Sequence, residues 1–248
     1  MKKNYIILSL LFIVTGAFSQ TVLINEGEIT INKKPANAWV SVITDDADMV
    51  QKSFVSFAKD KYGLKAKKKG SDFAVIEQAS IPSISEKQGD LWVAFYRDGK
   101  SQRMGMSYLL GYDISINSAE YPAEMKKLKA FYQDFMLYYK TEYYNAFVVK
   151  NTERMQDLSS DLSKVQKELK SLSKSSGKVE KSLSNESDDE VKFDLINENI
   201  ELKALIKAKN EIELNIKKEI SKVSSALDKE KAAFKRFETE LFSPEEIY

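Results

Sequence analysis

The chain of 248 residues contains no cysteine and no histidine. This double absence removes disulfides, thiolate and imidazole zinc sites, iron–sulfur ligation, and any nucleophile that works through a Cys–His or Ser–His pair. Proline (4) and glycine (9) are scarce, which excludes a collagenous or low-complexity chain. Neither sign of charge dominates. The 38 Lys and Arg residues oppose 37 Asp and Glu, so no overall field draws the chain to nucleic acid or anionic lipid, and any such attraction must be local. Neither a Walker A loop nor G-x-G-x-x-G is present. The residue set implies no cofactor. At 43% apolar residues the chain can still bury an ordinary core, in one or two domains.

Long apolar runs are confined to the start. Lys2 and Lys3 precede an apolar stretch from Tyr5 to Val14, and Ala17-Phe18-Ser19 places small residues before Gln20. This predicts a secretory signal peptide over residues 1–19, cut after Ser19; the alternative is an uncleaved anchor. The expected location is periplasmic or extracellular, with membrane contact only if that segment is retained. Loss of Lys2 and Lys3 takes the net charge from +1 to −1. An exported chain without cysteine has to rely on core burial or oligomerisation.

Composition divides the remainder near Asn117, because most of the glycines precede it and Lys, Glu, Leu and Ser dominate after it. Residues 20–118 read as an α+β domain. Val22 to Ile31 suggests a strand or a hairpin about Asn25-Glu26-Gly27, and Ala38 to Thr44 a strand rich in β-branched residues. Thr44 or Asp45 is placed to cap a helix whose apolar stripe is Val50, Phe54, Phe57 and Ala58, ending by Gly63. Strands are expected at Phe73 to Ala79, at Leu91 to Tyr96 and, after a hairpin at Asp98-Gly99, at Met104 to Tyr112. A long helix begins near Pro122. The expected fold class is α+β: a small antiparallel sheet with packed helices in β-α-β4-α order, followed by a long antiparallel helical hairpin or coiled coil. Over roughly residues 38–147 this order is similar to that of TATA-binding-protein-like folds, a likeness of element order that brings no DNA-binding motif with it.

Residues 119–248 read as the hairpin. Met155, Leu158, Leu162, Val165, Leu169 and Leu172 alternate steps of 3 and 4, a heptad seam that needs a partner helix. A second stripe runs from Leu195 through Leu202, Leu205, Ile212, Ile216, Ile220, Val223, Leu227, Phe234 and Phe237 to Leu241, and its 4-4 step at Ile212, Ile216 and Ile220 predicts a stutter. The serine-rich stretch at 173–189, with Gly177, is the expected apex. Arms over 122–172 and 190–241, folded about Lys181, set Phe234 opposite Leu128, Leu227 opposite Phe135 and Leu195 opposite Lys167.

Candidate chemistry is sparse. Asp45, Asp46 and Asp48 could hold a hard cation, yet the loop lacks the glycine and distal glutamate of an EF-hand, and helix capping accounts for them better. Lys65, Lys67, Lys68 and Lys69 could bind an acidic partner, or guard an edge strand against aggregation. No aromatic residues interleave them for base stacking, so nucleic acid is not expected. Tyr139 and Tyr143 belong to an aromatic segment that occupies several faces of one helix, and these two are the candidates for a binding surface. Glu77, Glu86 and Asp90 are available carboxylates.

These features lead us to expect a noncatalytic exported envelope protein: a binding or scaffolding module with a coiled-coil arm for contact with a protein partner or for self-association. The alternatives are a periplasmic holdase whose arm cradles unfolded clients and a carboxylate-dependent hydrolase of envelope glycans.

Overall fold

A computed structural model describes residues 23–111 and 114–242. The expected signal segment, and the expected end of a strand at Tyr112, lie outside the described residues. Within them lie six strands: β1 (Asn25–Ile31), β2 (Lys34–Ile43), β3 (Lys67–Lys69), β4 (Phe73–Ile81), β5 (Ser85–Asp98) and β6 (Ser101–Leu109). They form one antiparallel sheet in the order β1-β2-β6-β5-β4-β3. Three helices, α1 (Ala47–Tyr62), α2 (Pro122–Asn185) and α3 (Asp189–Leu241), complete an α+β fold with a long helical hairpin.

The first hairpin decides between the strand and the hairpin expected about Asn25-Glu26-Gly27. Residues Asn25, Glu26 and Gly27 are strand, paired with Val40, Trp39 and Ala38, and the turn falls at Asn32-Lys33. Both turn residues have positive φ, 50° and 67°, the twist that a two-residue hairpin requires and that asparagine tolerates without glycine. In α1 the cap is Asp46, one residue beyond the expected position, whose carboxylate accepts from the Asp48 and Met49 amides. Gly63, at φ 66°, ends that helix in the left-handed conformation.

Val50, Phe54, Phe57 and Ala58 of α1 are fully buried and meet the first turns of α2. Phe54 and Phe135 lie edge to face with ring centroids 5.3 Å apart, and Phe57 meets Phe131 at the same distance. Tyr132 is pinned through its hydroxyl, 2.6 Å from Ser41 Oγ and 3.0 Å from the Met104 carbonyl. The core of the head therefore includes Met125 to Tyr139 of α2 together with Phe237 and Leu241 of α3, so a boundary at residue 118 separates chain segments but not cores. A second apolar cluster on the sheet joins Ile29, Val40 and Trp92.

The hairpin corrects three further expectations. Helix α2 continues through Gly177 to Asn185, and the chain reverses at 186–188, where Asp188 caps α3. The seam of α2 keeps its 4-3-4 steps beyond Leu172 to Ser176, Val179 and Leu183, and the burial this gains outweighs the weak helix propensity of serine and glycine. Register moves accordingly. Phe234 stacks on Tyr144, not opposite Leu128, with centroids 4.6 Å apart, and Gln133 donates to the Leu241 carbonyl. The stutter disappears as well: the covered positions of α3 run Leu195, Asn199, Leu202, Ile206, Lys209, Glu213, Ile216, Ile220, Val223 and onward in unbroken 4-3 steps. Polar residues occupy seam positions that the apolar pattern skipped, and Leu205 faces outward, 51% exposed.

Candidate functional site

The head meets the arm at a neck built from three separate segments. The β2–α1 loop supplies Asp45, α2 supplies Tyr139, Lys140, Tyr143 and Tyr144, and α3 supplies Glu230, Phe234 and Phe237. Lys140 points inward because its helix face is otherwise core, and only 6% of its side chain is exposed. Its ammonium reaches Asp45 Oδ2 at 2.5 Å. Such a buried cation needs a carboxylate close by to offset its lost hydration.

Glu230 is also buried, on the seam of α3. Burial pushes its carboxyl above the usual range, Lys140 pulls it down, and Asp45 pushes it up again. Two carboxylates thus share one buried lysine. Tyr139 is 4% exposed; burial, and next the Asp45 charge, raise its phenol far above the ordinary value. Its hydroxyl makes no hydrogen bond of good geometry among the described residues. Burial, with Glu230 and Asp45 as lesser causes, also raises the Tyr143 phenol. The void between Lys140, Tyr144, Glu230, Phe234 and Phe237 has room for no more than a water-sized group. Chemically the cluster is a clamp, with opposite charges and stacked rings that fix the arm on the head.

The two candidate tyrosines therefore come together at the neck and differ in access. Tyr139 is core and offers no face to a ligand, whereas Tyr143 is half-buried. The candidate lysines lie elsewhere. Lys67, Lys68 and Lys69 form the edge strand β3, and Lys65 precedes it. Lys67 and Lys69 grip the two oxygens of Glu77 at 2.7 and 2.8 Å and hold its carboxyl down to about 2. Lys69 also stands over the Trp92 ring at 4.6 Å. Lys68 and Lys65 are exposed.

The three aspartates before and within α1 have separate duties. Asp46 caps, Asp48 lies in the first turn of α1 where its charge complements the helix dipole, Asp45 neutralises Lys140, and no group of three or more acidic side chains able to hold a metal occurs among the described residues. Of the available carboxylates, Asp90 accepts the Gln78 amide at 2.6 Å and supports the bulge where Gln78 takes φ 48°. Sequence reasoning missed Lys140, Asp45 and Glu230 as a unit. The available signal was a glutamate at a heptad position between Leu227 and Phe234. Comparison with family models, curated proteins and solved structures finds no match for the chain.

Proposed function

We propose that the protein is a noncatalytic exported envelope component, a binding or scaffolding module whose small head is clamped to a coiled-coil arm that makes contacts at a distance. One observation supports this above others. From Phe147 to the turn, the hydrogen bonds and ion pairs of α2 run within the helix or across to α3, as in Arg154–Glu219, Gln166–Glu213 and Glu180–Lys203. That stretch is about 60 Å long at 1.5 Å per residue, and it adds nothing to the core of the head. Its cost in ordered chain is understandable if the far end meets something else.

The test is capture from the native envelope with the full chain and with a shortened arm that lacks three matched heptads, residues 162–182 and 193–213. The expected result is one protein in fixed stoichiometry with the full chain, lost on shortening while the head keeps its near-ultraviolet circular dichroism. Equal capture by both would remove the role of the arm. Suppression of aggregation of a denatured test protein, without any stoichiometric partner, would favour the holdase reading instead.

A further inference from the structure

The far end of the arm has two unlike sides. At 100° per residue, the Glu180–Lys203 ion pair marks one side of the seam, and Glu168–Lys209 marks the other. On the Glu180 side α2 presents Lys170 and Lys181, with Lys174 on the outer ridge directly opposite the seam, and α3 presents Lys192, Lys203 and Lys207. Of these, Lys170, Lys174, Lys181 and Lys207 form no ion pair among the described residues. The acids on this side are Glu180, held by Lys203, and Asp189 at the start of α3. On the opposite side lie Glu190, Asp194, Glu198 and Glu201, with Lys167 and Lys178 of α2.

Three apolar side chains border the basic side. Phe193, Ile196 and Ile200 follow i, i+3, i+7 spacing on α3 and point away from the seam, at 64%, 43% and 61% exposure. Apolar residues flanked by lysine stems are the pattern of a helix that lies in a bilayer interface. A pair of unbroken helices also brings its lysines to one surface together. A second copy of the chain would have to bury on the order of 800 Å² per partner, far more than three side chains provide, whereas shallow insertion between headgroups has no such requirement.

We propose that this side of the arm tip is a peripheral docking surface for an anionic lipid bilayer, with the lysines over phosphate headgroups and Phe193, Ile196 and Ile200 at the acyl boundary. The inference rests on reading the arm as the contact-making element. It adds a membrane contact independent of the N-terminal segment. No described helix is long and apolar enough to cross a membrane, so the contact is along the surface.

The test is flotation of the full chain, expressed from Gln20, with phosphatidylcholine vesicles and with vesicles in which about one third of the lipid is phosphatidylglycerol. The expected result is binding to the anionic vesicles alone, lost as salt rises to about 0.5 M. The triple variant Lys170→Gln, Lys174→Gln, Lys181→Gln should bind about a hundredfold more weakly, at roughly fivefold per lysine. Phe193→Ala with Ile200→Ala should weaken binding without changing its salt dependence, and Glu190→Gln with Asp194→Asn should not weaken it. Unchanged helicity of each variant secures the comparison. Equal binding to neutral vesicles, or indifference to the lysine variant, would overturn the proposal. So would salt-sensitive dimerisation in place of flotation, which would assign the lysines to the acidic side of a second copy. So would equally tight binding of soluble polyphosphate that ignores the Phe193 and Ile200 changes. Absence of flotation alongside arm-dependent capture of a protein would refute the bilayer and leave the scaffold reading standing.

Discussion

Lys140 Nζ and Asp45 Oδ2 meet at 2.5 Å although 95 residues separate them, and this one pair joins the arm to the loop between the second strand and the first helix. Removal of the cation by Lys140→Ala leaves the buried Glu230 and the half-buried Asp45 without compensation. We expect a loss of about 3–5 kcal/mol, read from urea unfolding. A loss below about 1 kcal/mol would show that water already solvates the pair.

Glu230 gives the opposite sign. Its carboxyl binds its proton more tightly folded than unfolded, so its contribution to stability is greatest at low pH. Stability declines as pH rises from the unfolded value toward the raised folded one, and stays lower above it. Glu230→Gln should therefore raise Tm at neutral pH and leave it unchanged below about pH 4, where both states hold the proton. A lower Tm at pH 7 would mean that Lys140 depends on Glu230 as much as on Asp45.

Ser176 Oγ lies 3.2 Å from Asn199 Oδ1 across the seam, a polar layer between apolar ones. Heptad steps from this layer set Leu169 opposite Ile206. Because the chain contains no cysteine, the pair Leu169→Cys and Ile206→Cys can report the register directly. It should close a disulfide on mild oxidation, whereas Leu169→Cys with Phe193→Cys, the pairing implied by an apex at Lys181, should not.

Gly89 is needed for space and not for its backbone angle. A Cβ there would lie 2.3 Å from the Leu109 carbonyl oxygen and 2.8 Å from the Tyr108 ring, whose hydroxyl is already committed to the Ala79 and Lys87 carbonyls. Gly89→Ala should cost about 1–3 kcal/mol by overpacking, measured as a lowered urea midpoint.

At the sheet edge, Glu77 should titrate near 2 in a carboxyl-detected NMR experiment. Its folded value is depressed, so its contribution is present above the unfolded value and is lost as pH falls from about 4.5 toward 2. Lys67→Ala and Lys69→Ala should each bring the midpoint back up.

What could be read from the sequence follows how local each signal is. The stripe Val50, Phe54, Phe57 and Ala58 was visible because four apolar residues repeat within three turns, and Asp98-Gly99 because a two-residue hairpin needs that left-handed glycine. The reversal of the arm was misplaced because serine and glycine resemble a loop when composition is read alone. Continuing the count through Ser176, Val179 and Leu183 shows the seam unbroken. Leu205 drew the second stripe off its face for the same reason, since Ile206 beside it is the seam residue. At the neck only Glu230 left a trace, as an acid on a heptad position; the partners of Lys140 lie in other elements, and their pairing has no local signal. Tyr139 looked like a ligand-facing residue only while the helix lacked its neighbours.

Phe237 and Leu241 close a core whose other walls include Ile24 and Ile43. During vectorial synthesis the head must wait, unfinished, while both long helices are made and doubled back, because its core joins residues from both ends of the described chain. A chain interrupted anywhere in the arm lacks Phe237 and Leu241 and leaves that core incomplete, so quality-control proteases would meet truncated products as open substrates and not as smaller stable domains.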